Sequence, residues 1–242
     1  MSAKNKIVEH DEWIKARKEV LRKEKEFSQL RVELSKQIRE LPWEKVDKEY
    51  VFDGPEGKET LSDLFEGRNQ LVIYHFMFGE DWTEGCPSCS MLADHYDPAV
   101  LHLNQRNVTM ATVSRSSLDK LQGFKKRMAW NFKWVFSLEN DFNADYHVSF
   151  TPEPIEKKEV YYNYGFDNAF QMPEPTGISV FDKEADGVIY HTYSTYARGL
   201  DSFLGVYRFL DLVPKGRNES NLEYPMVWVR HHDKYGDTTN VK

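Results

Sequence analysis

Two cysteines with a short spacing are the residues of this chain best suited to chemistry. They stand three positions apart in Cys86-Pro87-Ser88-Cys89. On a helix this spacing places both sulfurs on one face. A thiol at the first turn of a helix ionises more easily, because unpaired backbone N–H groups and the helix dipole favour negative charge there. We therefore predict that Cys86 attacks a disulfide as a thiolate and that Cys89 resolves the mixed disulfide.

Other uses of the pair stay open at this point. The main prediction includes no metal, but His95 lies six residues beyond Cys89. Two thiolates and an imidazole are ordinary zinc ligands, so a non-catalytic metal-binding or interaction protein is a weaker alternative. In a thiol peroxidase, Cys86 would pass through a sulfenic acid and Cys89 would close the disulfide. Three measurements distinguish these hypotheses: disulfide reduction, metal retained by the purified protein, and peroxide consumption.

Charged side chains near the pair bear on its reactivity. Three carboxylates, Glu80, Asp81 and Glu84, precede Cys86. Negative charge near a thiol raises its pKa, so these groups are expected to oppose the effect of the helix. Arg198 is a candidate for the opposite role, because a positive charge stabilises a thiolate or a peroxide oxygen.

A buried strand and a helix are expected to position the cysteines. Residues 71–78 form a continuous apolar run, typical of a central strand covered on both faces. Pro87 suits the first position of a helix, which is predicted to continue over 90–103 with a bend at Pro98. A strand, a cysteine pair and a helix in direct succession favour redox use over metal binding.

The rest of the main domain alternates strands and helices. This alternation predicts an α/β fold with a central mixed sheet flanked by helices. The remaining predicted elements are strand 108–113, helix 116–130, strand 132–136, a short helix at 141–148, a hairpin of 178–181 with 188–193, and a helix at 199–212.

A long helix is expected before that domain. Residues 11–41 are rich in helix formers, with apolar residues at every seventh position. Asp11 is predicted as the N-cap and Pro42 as the stop. This N-terminal extension, 1–43, is a possible homodimer contact.

Two further segments complete the predicted organisation. The main domain covers 44–215 and carries an insertion at about 151–175, rich in proline, acid and aromatic residues. Residues 216–242 form a mostly polar tail. His231 and His232 are expected to be solvated within it.

Composition excludes several classes of protein. The net charge is −7 with acids and bases interspersed, so a nucleic-acid partner is not expected. The sequence contains no run of 18 apolar residues, and the first residues contain no apolar signal region, so no membrane association is expected. We interpret the chain as cytoplasmic.

Over nearly its whole length the sequence resembles an uncharacterised bacterial family, a domain of unknown function sometimes labelled predicted dithiol-disulfide oxidoreductase. More broadly it resembles the thioredoxin and peroxiredoxin superfamily, since residues 81–87 are similar to the D-x-T-x-x-C-P of peroxiredoxins. The segments that carry the closer match are 41–43, 74–79, 85–90, 191–199 and 228–232.

The resemblance implies a thioredoxin-like fold and further site residues. The thioredoxin group places a cis-proline opposite the cysteines, and Pro175 is the candidate. The peroxiredoxin pattern implies that Thr83 hydrogen-bonds a bound peroxide. The implied partners are a protein or small-molecule disulfide, or a peroxide, together with an external thiol reductant. No bound cofactor is expected.

Overall fold

The structure is a computed structural model that describes residues 5–137, 139–166 and 172–236. The chain divides into two compact units, the first ending at Pro42 and the second beginning at Trp43. The strands of the second unit are β1 (Glu44–Lys45), β2 (Val51–Gly54), β3 (Gly57–Thr60), β4 (Gln70–His75), β5 (Val108–Ser114), β6 (Lys133–Phe136), β7 (Tyr161–Tyr162), β8 (Gly165–Phe166), β9 (Gly177–Lys183) and β10 (Ile189–Tyr196).

A mixed sheet lies at the centre of the second unit. Within the described residues it has eight strands in the order β1-β10-β9-β4-β5-β6-β2-β3. Strands β4, β5 and β6 are parallel, whereas β9 pairs antiparallel with β4 and β10 with β9. This sheet and its flanking helices confirm the predicted thioredoxin-like α/β fold.

Strand β4 is the central element that the apolar run predicts. It pairs with β5 on one side and β9 on the other. Alternate side chains enter different cores, because successive residues of a strand point to opposite faces. Leu71 and Ile73 pack in the core on one face, and Tyr74, Phe76 and Phe78 in the core on the other.

The helices agree with most of the predicted elements. They are α1 (His10–Arg39), α2 (Pro87–Tyr96), α3 (Val100–Asn104), α4 (Leu118–Arg127), α5 (Phe142–Asp145), α6 (Pro152–Lys157) and α7 (Gly205–Leu210). The break between α2 and α3 contains Pro98, as predicted.

One predicted helix is divided in the structure. In place of a single helix over 199–212, a 3₁₀ segment at Ala197–Phe203 precedes α7. The N–H of Val206 donates to His95 Nε2 at 3.0 Å. A Cβ on Gly205 would meet the same imidazole at 2.9 Å. The contact with His95 therefore fixes the chain where the second helix begins.

The first unit consists mainly of α1. This helix begins at His10 after Glu9, so the prediction of Asp11 as N-cap is wrong. Asp11 instead lies in the first turn, where negative charge stabilises the helix end. Ion pairs such as Arg22 Nη1 to Glu26 Oε1, 2.6 Å, run along its surface. The homodimer contact remains a prediction.

Part of the predicted insertion has structure of its own. Helix α6 and the hairpin of β7 with β8 lie within it. Residues 167–171 of the insertion and 237–242 of the predicted tail lie outside the described residues. Across the part of the chain that is described, no helix has the length and apolar character needed to cross a membrane.

Candidate active site

The backbone after β4 places Cys86 at the start of α2. The N–H of Cys86 donates to the carbonyl of Met77 at 3.0 Å, which closes the intervening loop. Cys86 is the N-cap residue of α2, with Pro87 in its first turn. The carbonyl of Cys86 accepts the N–H of Ser90 at 2.9 Å, the first hydrogen bond of the helix.

Cys86 is partly exposed and surrounded by hydrogen-bond donors. The cysteines are free thiols 3.8 Å apart. The nearby Cys89 thiol and the backbone N–H groups of Cys89 and Ser88 favour a negative charge on the Cys86 sulfur. Together they outweigh the cost of burial and lower the pKa of Cys86 to about 7. Cys86 is therefore the more acidic thiol of the pair.

Cys89 has the opposite character. It is only 2 % exposed. Burial, followed by the proximity of Cys86, raises the pKa of Cys89 well above its ordinary value. The nearby Tyr74 hydroxyl and Met77 N–H act in the other direction and favour the charged form of Cys89. The pair thus consists of a partly exposed thiol with a lowered pKa and a buried thiol with a raised pKa.

The carboxylates before Cys86 are directed elsewhere. Glu84 forms ion pairs with Arg127 at 2.5 Å and with Lys234 at 2.6 Å. The side chains of Glu80 and Asp81 are exposed. The three carboxylates therefore raise the pKa of Cys86 less than expected. The charge of Glu84 is balanced by Arg127 and Lys234, and solvent screens the charges of Glu80 and Asp81.

A small pocket opens beside the two sulfurs. Its volume is about 80 Å³, and both cysteines line it. Most of the remaining wall is apolar and comes from three parts of the chain: Tyr74 and Met77 from β4 and the loop after it, Leu200 and Leu204 from the segment before α7, and Met226 near the C-terminus.

The segment containing Pro175 reaches the pocket but differs from the expectation. No peptide bond is cis in residues 5–137, 139–166 and 172–236, so the prediction of a cis-proline at Pro175 is wrong. The neighbouring Thr176 lines the pocket instead. Its hydroxyl lies 3.2 Å from the Tyr74 hydroxyl and 3.0 Å from the His75 carbonyl. These bonds hold the segment against β4 with a trans peptide.

Thr83 and Arg198 are not among the residues that line this pocket. Thr83 is exposed on the loop. The Arg198 side chain is 61 % exposed and pairs with Asp201 at 2.7 Å. Asp201 lines the pocket, so Arg198 is separated from it by one ion pair.

The structure does not assemble the alternative metal site. His95 Nδ1 bonds to the carbonyl of Met91 at 2.6 Å, and Nε2 accepts from Val206. His75 is buried and bonds to Asn143 and Ser179. In the described ranges, no three histidine, cysteine or acidic side chains are arranged to hold a metal ion.

The predicted solvated tail turns back onto the cysteine loop. His231 is only 3 % exposed, and its Nε2 donates to the carbonyl of Gly85 at 2.8 Å. Arg127 pairs with Asp233 at 2.7 Å, next to its pair with Glu84. The prediction that His231 is solvated is therefore wrong, because it supplies a donor to a carbonyl in the loop.

Comparison of the whole sequence with known protein families identifies the family to which it belongs. The pattern of a family described as bacterial proteins of unknown function (DUF899) matches residues 2–235. The chain belongs to this DUF899 family. No curated protein matches its sequence.

Solved structures resemble this DUF899 protein at low identity. Peroxidoxin BcpB from Mycobacterium tuberculosis is 14 % identical, with coverage of 69 % of this chain and 96 % of that one and a TM-score of 0.47. A peroxiredoxin Q mutant from Xanthomonas campestris is 16 % identical, with 66 % and 90 % covered and a TM-score of 0.44. A putative thiol:disulfide interchange protein DsbE from Chlorobium tepidum is 10 % identical, with 67 % and 95 % covered and a TM-score of 0.39.

Three contacts of the DUF899 site were not foreseen from the sequence. Tyr74 lies in an apolar run, where a phenol is most simply a core residue. Thr176 directly follows Pro175, and this was the feature of the sequence that could have placed Thr176 near the cysteines. The contact of His231 with Gly85 spans 146 positions, and no local pattern indicates it.

Proposed function

We propose that this DUF899 protein is a thiol-disulfide oxidoreductase that uses Cys86 and Cys89. The observation that carries the proposal is the placement of Cys86 at the N-terminus of α2, where the backbone N–H groups of the first turn lie near its sulfur. These donors favour the thiolate, which is the nucleophilic form. Cys89, 3.8 Å away, is in reach for the second step.

The proposed reaction has two steps. The Cys86 thiolate attacks one sulfur of a substrate disulfide, forming a mixed disulfide and releasing the first substrate thiol. Cys89 loses its proton and attacks the Cys86 sulfur, so that the bond to the second substrate sulfur breaks. That sulfur leaves as a thiolate and takes up a proton, and an external thiol reductant restores the dithiol.

The different environments of the two cysteines support these roles. Cys86 is partly exposed and has the lowered pKa, whereas Cys89 is buried and has the raised one. A substrate arriving from solvent therefore meets the ionised sulfur first. The buried thiol reacts only after a mixed disulfide has formed beside it.

A peroxidase is less well supported. The two groups proposed to bind peroxide, Thr83 and Arg198, are exposed, and Arg198 is paired with Asp201. The largest contributions to the lowered pKa of Cys86 come from Cys89 and Ser88. These donors stabilise a thiolate whether it attacks sulfur or a peroxide oxygen. Peroxide consumption should therefore be measured together with disulfide reduction.

Trapping with Cys89→Ser tests the proposal. Without Cys89 the mixed disulfide on Cys86 is not resolved, so partners should accumulate as adducts that a thiol reductant releases on a non-reducing gel. Cys86→Ser and the double serine variant are the matched controls, and mass spectrometry identifies the partner. If Cys89→Ser forms no more adduct than the double variant, and the wild-type protein does not reduce insulin, the proposal fails.

A further inference from the structure

The hydroxyl of Tyr74 lies next to the buried sulfur of the pair. Tyr74 is 1 % exposed, on the face of β4 that packs against α2. Tyr74 and Cys89 line the same pocket of about 80 Å³, together with Thr176 and Met77. The Tyr74 hydroxyl and the backbone N–H of Met77 are the donors near enough to the Cys89 sulfur to favour its thiolate.

A second hydroxyl lies beside that of Tyr74. Thr176 has a single proton and two acceptors in reach, the Tyr74 hydroxyl oxygen at 3.2 Å and the His75 carbonyl at 3.0 Å. In the arrangement in which Thr176 donates to Tyr74, the proton of Tyr74 is free to point at Cys89. A phenol with two lone pairs and one proton can satisfy both partners in this arrangement.

The second step of the proposed reaction needs such a donor. Cys89 must carry negative charge when it attacks, and burial makes that charge costly. Preorganised donors aimed at developing charge in a dry site lower this cost without reorganisation. Tyr74 is itself held neutral, since burial raises its pKa well above the ordinary value.

We propose that Tyr74 is a catalytic residue of the resolving step, donating a hydrogen bond to Cys89 as its thiolate forms. Tyr74 keeps its own proton throughout. The proton of Cys89 passes to solvent and finally to the departing substrate thiolate, while the new bond joins the sulfurs of Cys86 and Cys89. This inference rests on the proposed disulfide exchange and assigns the donor for its second half.

Other titratable groups near Cys89 do not offer this contact. Tyr96 donates to or accepts from Thr112 at 2.6 Å, and Tyr162 donates to the carbonyl of Thr176 at 2.7 Å. Asp201, at the pocket wall, is paired with Arg198 and Arg217. Apart from Cys86 itself, Tyr74 is the titratable group in the described chain whose side chain acts directly on the pKa of Cys89, and it favours the charged form.

The aromatic disulfide dithiobis(nitrobenzoate) separates the two steps in one experiment. Attack by Cys86 releases one coloured thionitrobenzoate, and resolution by Cys89 releases a second. Tyr74→Phe should leave the first phase unchanged and slow the second about tenfold or more, the usual effect of removing a hydrogen bond to a charged group. The leaving group departs readily as an anion, so the second phase reports ionisation of Cys89.

Tyr96→Phe is the matched control, because it removes a neighbouring buried hydroxyl that bonds to Thr112. It should leave both phases unchanged. If Tyr74→Phe resolves as fast as the wild type, the inference is wrong even though the exchange reaction stands. If the first phase is no faster than in the urea-unfolded chain, the proposed function itself fails.

Two further measurements keep the inference testable if Tyr74→Phe folds poorly. Thr176→Val should slow the second phase by a smaller factor, and Thr176→Ser should restore it. In a Cys86→Ala background, the alkylation of Cys89 should require a higher pH when Tyr74 is Phe. An unchanged pH profile of Cys89 would contradict the role assigned to Tyr74, and an unchanged second phase in Thr176→Val would contradict the orienting hydrogen bond from Thr176.

Discussion

His231 Nε2 donates to the carbonyl of Gly85, the residue directly before Cys86, at 2.8 Å. The imidazole also packs against the Phe124 ring, with centroids 5.2 Å apart. His231→Phe should keep the packing and remove the donor. The buried carbonyl then loses its partner, and we expect the free energy of unfolding in urea to fall by about 1–3 kcal/mol.

The neighbouring histidine is the control for this loss. His232 is largely exposed and bonds to Asp94. His232→Phe should change the urea midpoint little. Equal decreases in the urea midpoint for the two substitutions would show that the hydrogen bond from His231 to Gly85 does not stabilise the fold.

Gly85 has no room for a side chain. A Cβ there would lie 2.6 Å from the Phe76 ring and 2.9 Å from the Phe124 ring, and both rings are buried. Gly85→Ala should therefore cost about 1–3 kcal/mol of stability and displace the cysteine loop. Thermal unfolding and the alkylation rate of Cys86 measure the two effects.

Gly123 offers the opposite case. It lies in α4, and a Cβ there meets no atom within 4 Å. Gly123→Ala should stabilise the protein by about 0.5–1 kcal/mol, because alanine favours the helix. A Gly85→Ala variant as stable as Gly123→Ala would contradict the close packing of the loop.

The acidity of Cys86 predicts the pH dependence of its alkylation. The thiolate fraction rises with pH through the pKa, so the rate with iodoacetamide should reach half its maximum near pH 7. A free cysteine does so at about pH 8.5. Cys89→Ala removes the largest contribution, the thiol hydrogen bond, and should move the midpoint upward. Cys89→Ser retains a donor and should move it less, and identical profiles for the two variants would count against this bond.

Buried His75 predicts a loss of stability in acid. Burial lowers its pKa from 6.5 to about 4. As pH falls from 6.5 towards 4, the unfolded chain takes up a proton that the folded protein excludes, so folding weakens over this range. The contribution of His75 amounts to about 3 kcal/mol. Above pH 6.5 this group adds no pH dependence.

Two glutamine variants isolate the contribution of His75 to the pH dependence of stability. His75→Gln should show a shallower decrease of unfolding free energy between pH 6.5 and 4 than the wild type. His102 is exposed, and His102→Gln should retain the wild-type slope. Parallel pH curves for the wild type and His75→Gln would disprove the buried neutral state of His75.

The elements around the cysteines follow from local patterns, whereas the contacts among them do not. The apolar run and Pro87 predicted β4 and the start of α2, because burial on two faces and helix initiation are encoded in adjacent residues. Two of the wrong predictions, the cis-proline at Pro175 and the solvated His231, concern positions whose partners are distant in sequence. A proline's isomer and a tail's path depend on those partners, so residue types alone do not determine them.

The two cations that pair with Glu84 are synthesised at different times. Arg127 follows Glu84 by 43 positions, but Lys234 follows it by 150. A nascent chain therefore contains the dithiol long before its second counter-charge emerges from the ribosome. During that interval the carboxylate has only one of its two cationic partners, and the loop lacks the contact of His231 with Gly85.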